Sequence, residues 1–300
     1  MNRIQRLRDK IKARTKELGI EPDHDDTGHW YKFNGVRYPS VTGKLAIIKD
    51  EGLMNWKMNR ALEYVLKNYQ DLRPETIEKH IQDAKLAPVQ EFTEAGDIGT
   101  AVHAWREGWF NTWIDRELTD DMEFEHSPED IRPEVISACA AIVKCIKTLR
   151  AQPLACELYL ADEKLGIGGT MDDLWAVPVN KTVIYPPATD ENDRKGIYGN
   201  PNTLRGGWET WLIDLKTSNI GTKNSYYMQT ALYWHLFKKL YKIKVDKVFI
   251  LHVSKKIHGE YKLIEVKHPK RYLAMAKNVI KLHDDLEEIK ELKKPEITKI

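Results

Sequence analysis

The sequence predicts an α/β fold, a mixed central sheet flanked by helices, and three observations carry that prediction. Five strand-like segments follow one another after residue 154. An amphipathic stretch, "NSYYMQTALYWHLFKKLY", separates the third from the fourth. About a hundred residues of mainly helical pattern precede them all. The chain divides accordingly into a basic helix and hairpin (1–43), a helical cap (44–153) and a sheet-bearing core (154–300).

The elements follow in order. Residues 3–16 hold Arg3, Arg6, Arg8, Lys10, Lys12, Arg14 and Lys16 against one acid, Asp9, with Ile4, Leu7, Ile11 and Leu18 at helical spacing. They read as an amphipathic helix with a basic face, either simply solvated or turned toward phosphates or a partner. "HWYKFNGVRYPSVT" reads as a hairpin closed by Asn34-Gly35, the pair that a tight primed turn prefers. Pro39 ends its pairing, and Ser40 to Thr42 form a cap for the next helix. From 44 to 150 the helical pattern breaks near Asp71–Pro74, Ala87-Pro88 and Ser127–Pro133. The strands are "LACELYLAD", "GIGGTMDDLWAV", "ETWLIDLKTS", "DKVFILHVS" and "GEYKLIEVK". Asn224 or Ser225 caps the helix after the third, and a charged helix runs from about Pro269 to Leu292. Residues 178–207, rich in Pro, Gly and Asn, read as an insertion between the second and third strands.

Composition narrows the class. Of 300 residues 42% are hydrophobic and 31% charged, as expected of a soluble globular chain. No apolar run has the length of a membrane span, and the first twenty residues lack the apolar core of a signal peptide. Cys139, Cys145 and Cys156 cannot all pair and show no C-x-x-C spacing, which points to a reducing, cytoplasmic setting and away from structural zinc. A net charge of +2 decides nothing about nucleic acid.

The chemistry sits in "WETWLIDLKTSN". Side chains alternate along a strand, so Asp214 and Lys216 share the face opposite Ile213 and Leu215. Buried charges are costly unless they are paired, hydrogen-bonded or bound to metal. One strand away, "GIGGTMDDLW" places Asp172 just after a Gly-Gly pair. Carboxylates on adjacent strands repel unless a cation lies between them, and such oxygens suit Mg²⁺ or Mn²⁺. Gln229 and Tyr233 share one helix face. "AGDIGTAVHAW" places His103 four residues after Gly99, in a helix expected to begin near a glycine.

His103 in Gly-Thr-x-x-His, Asp172 in Gly-Gly-Thr-x-Asp, Asp214-x-Lys216-Thr and Gln229-x-x-x-Tyr233 together resemble the RecB-like branch of the PD-(D/E)XK nucleases. "RYPSVTGKLAIIKDEGLMNWK" is similar to the opening segment of phage exonucleases related to the mitochondrial genome maintenance exonuclease. The motifs span residues 38–233. No proline precedes Asp172, the 42-position interval from Asp172 to Asp214 is long for the branch, and the iron–sulfur cysteines of the CRISPR-adaptation relatives are absent.

The resemblance implies a restriction-endonuclease-like core and a metal-dependent exonuclease acting on single-stranded or frayed DNA ends in phage or bacterial replication, recombination or repair. Mg²⁺ or Mn²⁺, two ions, would be held by Asp172, Asp214, the Leu215 carbonyl and His103. Lys216 would orient water or meet developing charge, with Gln229 and Tyr233 positioning it or the DNA backbone. Glu157 resembles an acidic residue the family often keeps on the first strand; ligand, supporting group and edge charge all stay open for it. An endonuclease and an inert nucleic-acid-binding scaffold remain as alternatives.

Each residue also has a structural reading. Asp173 competes with Asp172, though alternation sends the two to opposite faces. Tyr233 packs beside Phe237 if it has no role in the site. Trp105, Trp109 and Trp113 read as core. Trp30, Tyr31 and Tyr38 are candidates for stacking on single-stranded bases.

Overall fold

A computed structural model describes residues 3–48, 51–115, 128–179, 207–218 and 223–292. Its elements run α1 (Arg3–Leu18), β1 (Glu21–Pro22), β2 (Trp30–Phe33), β3 (Val36–Pro39), α2 (Val41–Leu45), α3 (Glu51–Lys67), α4 (Ile77–Asp115) and α5 (Pro133–Leu149). There follow β4 (Gln152–Asp162), β5 (Ile167–Val179), β6 (Gly207–Lys216), α6 (Asn224–Tyr241), β7 (Lys247–Val253), β8 (Tyr261–Glu265) and α7 (Pro269–Leu292). The five main strands lie in chain order, β4-β5-β6-β7-β8. The β6–β7 pair, bridged by α6, is parallel and the other three are antiparallel, so the sheet is mixed. The chain is thus α/β, with helices on both faces of the sheet.

Alternation along the strands builds two cores. Leu212 and Ile250 point to one face, under α6 and α1. Trp211, Ile213, Leu215, Phe249 and Leu251 point to the other, under α5 and the second half of α4. The helical block is therefore not a separate cap throughout. Ile98 to Phe110 and α5 belong to a flanking layer of the sheet, because their aliphatic and aromatic side chains need its apolar face to become buried. Among the described residues of α3 and the first half of α4, only Ala84 and Pro88 are buried, while Met54, Met58, Leu62, Val89 and Phe92 stay more than half exposed.

Local chemistry explains the N-terminal elements. Asn34 and Gly35 both adopt positive φ, 49° and 78°, the geometry of the primed turn that closes β2 and β3. Ser40 caps α2, its Oγ accepting the Gly43 N–H at 2.9 Å. In α1, Ile4 and Ile11 are buried as the spacing requires. Arg8 departs from the expected basic face: it is buried, and its Nε–H donates to the Pro153 carbonyl at 3.0 Å.

Three local expectations fail. Ala87-Pro88 is no break, since α4 runs through it. A helical proline removes one hydrogen bond. Here packing against α3 outweighs that loss, through the Tyr64–Asp83 hydrogen bond (3.1 Å) and Lys57 over the Phe92 ring. For the same reason no helix begins near Gly99; both Gly96 and Gly99 lie inside α4. Finally, Lys223, whose side chain makes no capping hydrogen bond, occupies the cap position of α6 in place of Asn224 or Ser225. The segment read as an insertion falls largely outside the described residues, although Pro178 and Val179 extend β5 and pair with Trp208 and Gly207. Among the described residues no helix is long and apolar enough to cross a membrane.

Candidate metal centre

The site forms where two strands part. The β5–β6 ladder ends at the Asp173–Ile213 pair. Just past that pair, one residue along β5 and two along β6, the Leu215 N–H donates to Asp172 Oδ2 at 2.6 Å, so a side chain takes over from backbone pairing. Asp214 and Lys216 lie one position either side of Leu215, on the α6 face. Lys216 Nζ sits 2.7 Å from Asp214 Oδ2 and 5.2 Å from the centre of the Tyr226 ring.

Two glycines let aromatic rings approach β5 just before Asp172. A Cβ on Gly168 would run into Tyr31 of the hairpin, and one on Gly169 would lie 2.7 Å from Tyr233 Cε1 of α6. The Tyr31 hydroxyl shares a hydrogen bond with Thr170 Oγ1 (2.8 Å), and Gln229 Nε2 donates to the Tyr233 hydroxyl (3.3 Å). Tyr31 is therefore a buried brace with no free face for a base, a correction to its reading as a stacking platform. Trp30 is engaged as well, its Nε1–H donating to Thr27 and the Arg37 guanidinium lying 4.6 Å from its ring centre. Trp105 and Trp109 are core residues, as their spacing predicts.

On the other side, α4 brings in His103. Gly99 makes room for it: a Cβ there would lie 3.2 Å from Thr217 Oγ1, directly after β6. His103 Nδ1 is 3.3 Å from Glu157 Oε1 and 3.7 Å from Asp172 Oδ1. His103, Glu157 and Asp172 each offer one ligand atom, all within 4.8 Å of one another. Sequence left the role of Glu157 open; geometry sets it among the candidate donors. Its φ is +47°, a left-handed conformation rare for a residue with a side chain, and such strain gathers at functional sites.

The electrostatics separate the carboxylates. Burial works to raise the Asp172 carboxyl, but His103, Arg106, Lys216 and the Leu215 N–H together hold it below the ordinary value. Burial pushes Asp214 up to about 6, with Lys216 pulling down and Asp172 pushing up. Burial opposes the charge of Lys216, yet Asp214 and Asp172 outweigh it and keep the amine protonated. Asp214 is only 1% exposed; the Lys216 ammonium lies against its Oδ2, and among the described residues no hydrogen bond reaches its Oδ1. A buried carboxylate whose Oδ2 is met by the Lys216 ammonium and whose Oδ1 has no hydrogen bond among the described residues, beside a cluster of imidazole and carboxylate donors, is the donor chemistry that a divalent cation satisfies. Asp214 stands outside the three-residue cluster; it is tied to the cluster through Asp172, with which it shares charge repulsion.

Compared with known proteins, the chain matches no family model and no curated protein.

Arg106 escaped the sequence reading. It is fully buried, with one guanidinium nitrogen contacting Glu157 and another 3.3 Å from Asp173 Oδ2. The signal was present: a lone arginine between Trp105 and Trp109, three residues after His103, lies on a face that must be buried. Asp173 accordingly turns away from Asp172, as alternation requires, and toward α4. The cysteines are free; Cys139 and Cys145 are buried, which drives both thiols up to about 12.

Proposed function

We propose that this chain is a metal-dependent DNA exonuclease of the PD-(D/E)XK type, acting on single-stranded or frayed ends. The observation that carries the reading is the convergence of His103, Glu157 and Asp172 within ligand distance beside the Asp214–Lys216 pair, at the point where two central strands separate. His103, Glu157, Asp172, Asp214 and the Leu215 carbonyl would hold Mg²⁺ or Mn²⁺. When bound, the ion lowers the pKa of water and screens the scissile phosphate.

The chain's own residues do the rest. Lys216 is a cation fixed by Asp214 and by the Tyr226 ring, placed to meet the charge that develops on a phosphate. Tyr233 braces β5 at Gly169, so Asp172 has little freedom to move when substrate binds. His103 links α4 to the cluster, which puts the helical layer beside the scissile bond.

The test follows end-labelled linear single strands, blunt duplex and covalently closed single-stranded circles with Mg²⁺ or Mn²⁺ and in chelator. Rapid cutting of linear single strands, slower loss of duplex and intact circles are the expected results. Linearised circles would favour an endonuclease, and full activity in chelator would overturn the metal reading. Binding without cleavage of any substrate would leave the inert scaffold.

A further inference from the structure

We propose that Arg106 is the positioning residue of the metal centre, holding Glu157 in its left-handed turn so that the carboxylate faces His103 and Asp172. The proposal rests on the metal reading above and adds how one donor is kept in place. Arg106 lies one helical turn after His103 on α4, so the same turn supplies a candidate ligand and the group that orients another. Its side chain has no exposed surface. A guanidinium cannot shed its charge, and burial is tolerated here only because two carboxylates meet it: Asp173 through one nitrogen at 3.3 Å and Glu157 through another.

The three partners have separate duties. Asp173 is fully buried on β5 and anchors the fork. Glu157, on β4, is partly exposed, and its Oε1 is shared between Arg106 and His103. Without a restraint, a glutamate in a strand relaxes toward extended backbone, because the left-handed region is unfavourable for a residue bearing a Cβ. Relaxation would send the next side chains of β4 to the wrong faces and carry the carboxylate away from Asp172. The adjacent aspartates of "TMDDLW" thus serve opposite faces of one strand: Asp172 offers a donor, and Asp173 locks the arginine that orients a second donor.

Electrostatics alone predicts the reverse. A guanidinium beside an anionic donor repels a cation, so its removal would tighten metal binding. Positioning predicts weaker binding, and a charge-conserving lysine separates the two, since it keeps the charge and lacks the fork.

Calorimetric titration of the full chain with Mn²⁺ would compare the wild type, Arg106→Lys, Arg106→Met, Glu157→Gln and the Arg106→Met/Glu157→Gln double variant. Thermal melts in chelator would run alongside. Arg106→Met and Arg106→Lys should each weaken Mn²⁺ binding by roughly 10- to 100-fold, the usual effect of losing a group that orients a ligand. The double variant should bind no more weakly than Glu157→Gln alone, because Arg106 acts through Glu157. If Arg106→Met does not fold, Arg106→Lys carries the test. An unchanged Kd with a lowered melting temperature would make Arg106 merely structural and overturn the proposal. Tighter binding in Arg106→Met with wild-type binding in Arg106→Lys would overturn it as well. A wild-type chain that binds no Mn²⁺ refutes the metal centre itself, an outcome distinct from a wild type that binds while its Arg106 variants bind equally well.

Discussion

Asp214 should make the metal-free protein lose stability as pH rises. Its carboxyl, ordinarily near 3.8, is pushed up to about 6 by burial and by Asp172. A raised acid binds its proton more tightly in the folded than in the unfolded chain. Its stabilising contribution is therefore complete below the unfolded value and disappears as pH climbs through about 6. Integrating the linkage relation between about pH 4.5 and about pH 7.5 gives a loss of about 2 kcal/mol from this one group. The lowered Asp172 works with the opposite sign, but its window lies below about pH 4. The raised Lys216 titrates far above the range. Asp173, also raised by burial, adds a slope of the same sign, which comparison with Asp214→Asn cancels. The assay is urea unfolding of wild type and Asp214→Asn in chelator at both pH values. The wild type should lose about 2 kcal/mol more than the variant, and saturating Mn²⁺ should remove most of that difference by neutralising the carboxylate. Equal pH slopes for the two proteins in chelator would refute the reasoning.

Three further outcomes follow from the same geometry. Gly169→Ala places a Cβ 2.7 Å from Tyr233 Cε1, and Gly168→Ala meets Tyr31; each should cost about 1–3 kcal/mol of unfolding free energy, and unchanged melting temperatures would show that the rings yield freely. Asp172→Ala, Asp214→Ala and Lys216→Ala should each abolish cleavage in a gel assay while retaining most DNA affinity, because phosphate contacts elsewhere carry binding; substantial turnover in any two would remove them from the site. Saturating Mg²⁺ should raise the melting temperature of the wild type and raise it less for His103→Ala, a difference that calorimetric scanning reads directly.

Much of the fold is legible from local pattern. Period-2 alternation in β4 to β8 and Asn34-Gly35 in the hairpin are decided by backbone sterics and by which side chains avoid water, and both are written in adjacent residues. Pro88 shows where such reading stops: the penalty of a helical proline is local, but what offsets it is packing against α3, more than twenty residues away in sequence. Tyr31 repeats the lesson. Its alternation places it on a hairpin face, while its burial depends on Gly168, 137 positions later.

The sequence by itself determined the order of the elements, the shared face of Asp214 and Lys216, the opposed faces of Asp172 and Asp173, and the pairing of Gln229 with Tyr233, because alternation and helical period bind residues only a few positions apart. Only the tertiary structure decided that His103 meets Glu157 across 54 positions, that Glu157 stands in a left-handed turn, and that Arg106 spans Glu157 and Asp173. Those relations depend on how α4 lies across β4 and β5, and the docking of a helix on a sheet is set by the packing of whole faces, which no single stretch of chain contains.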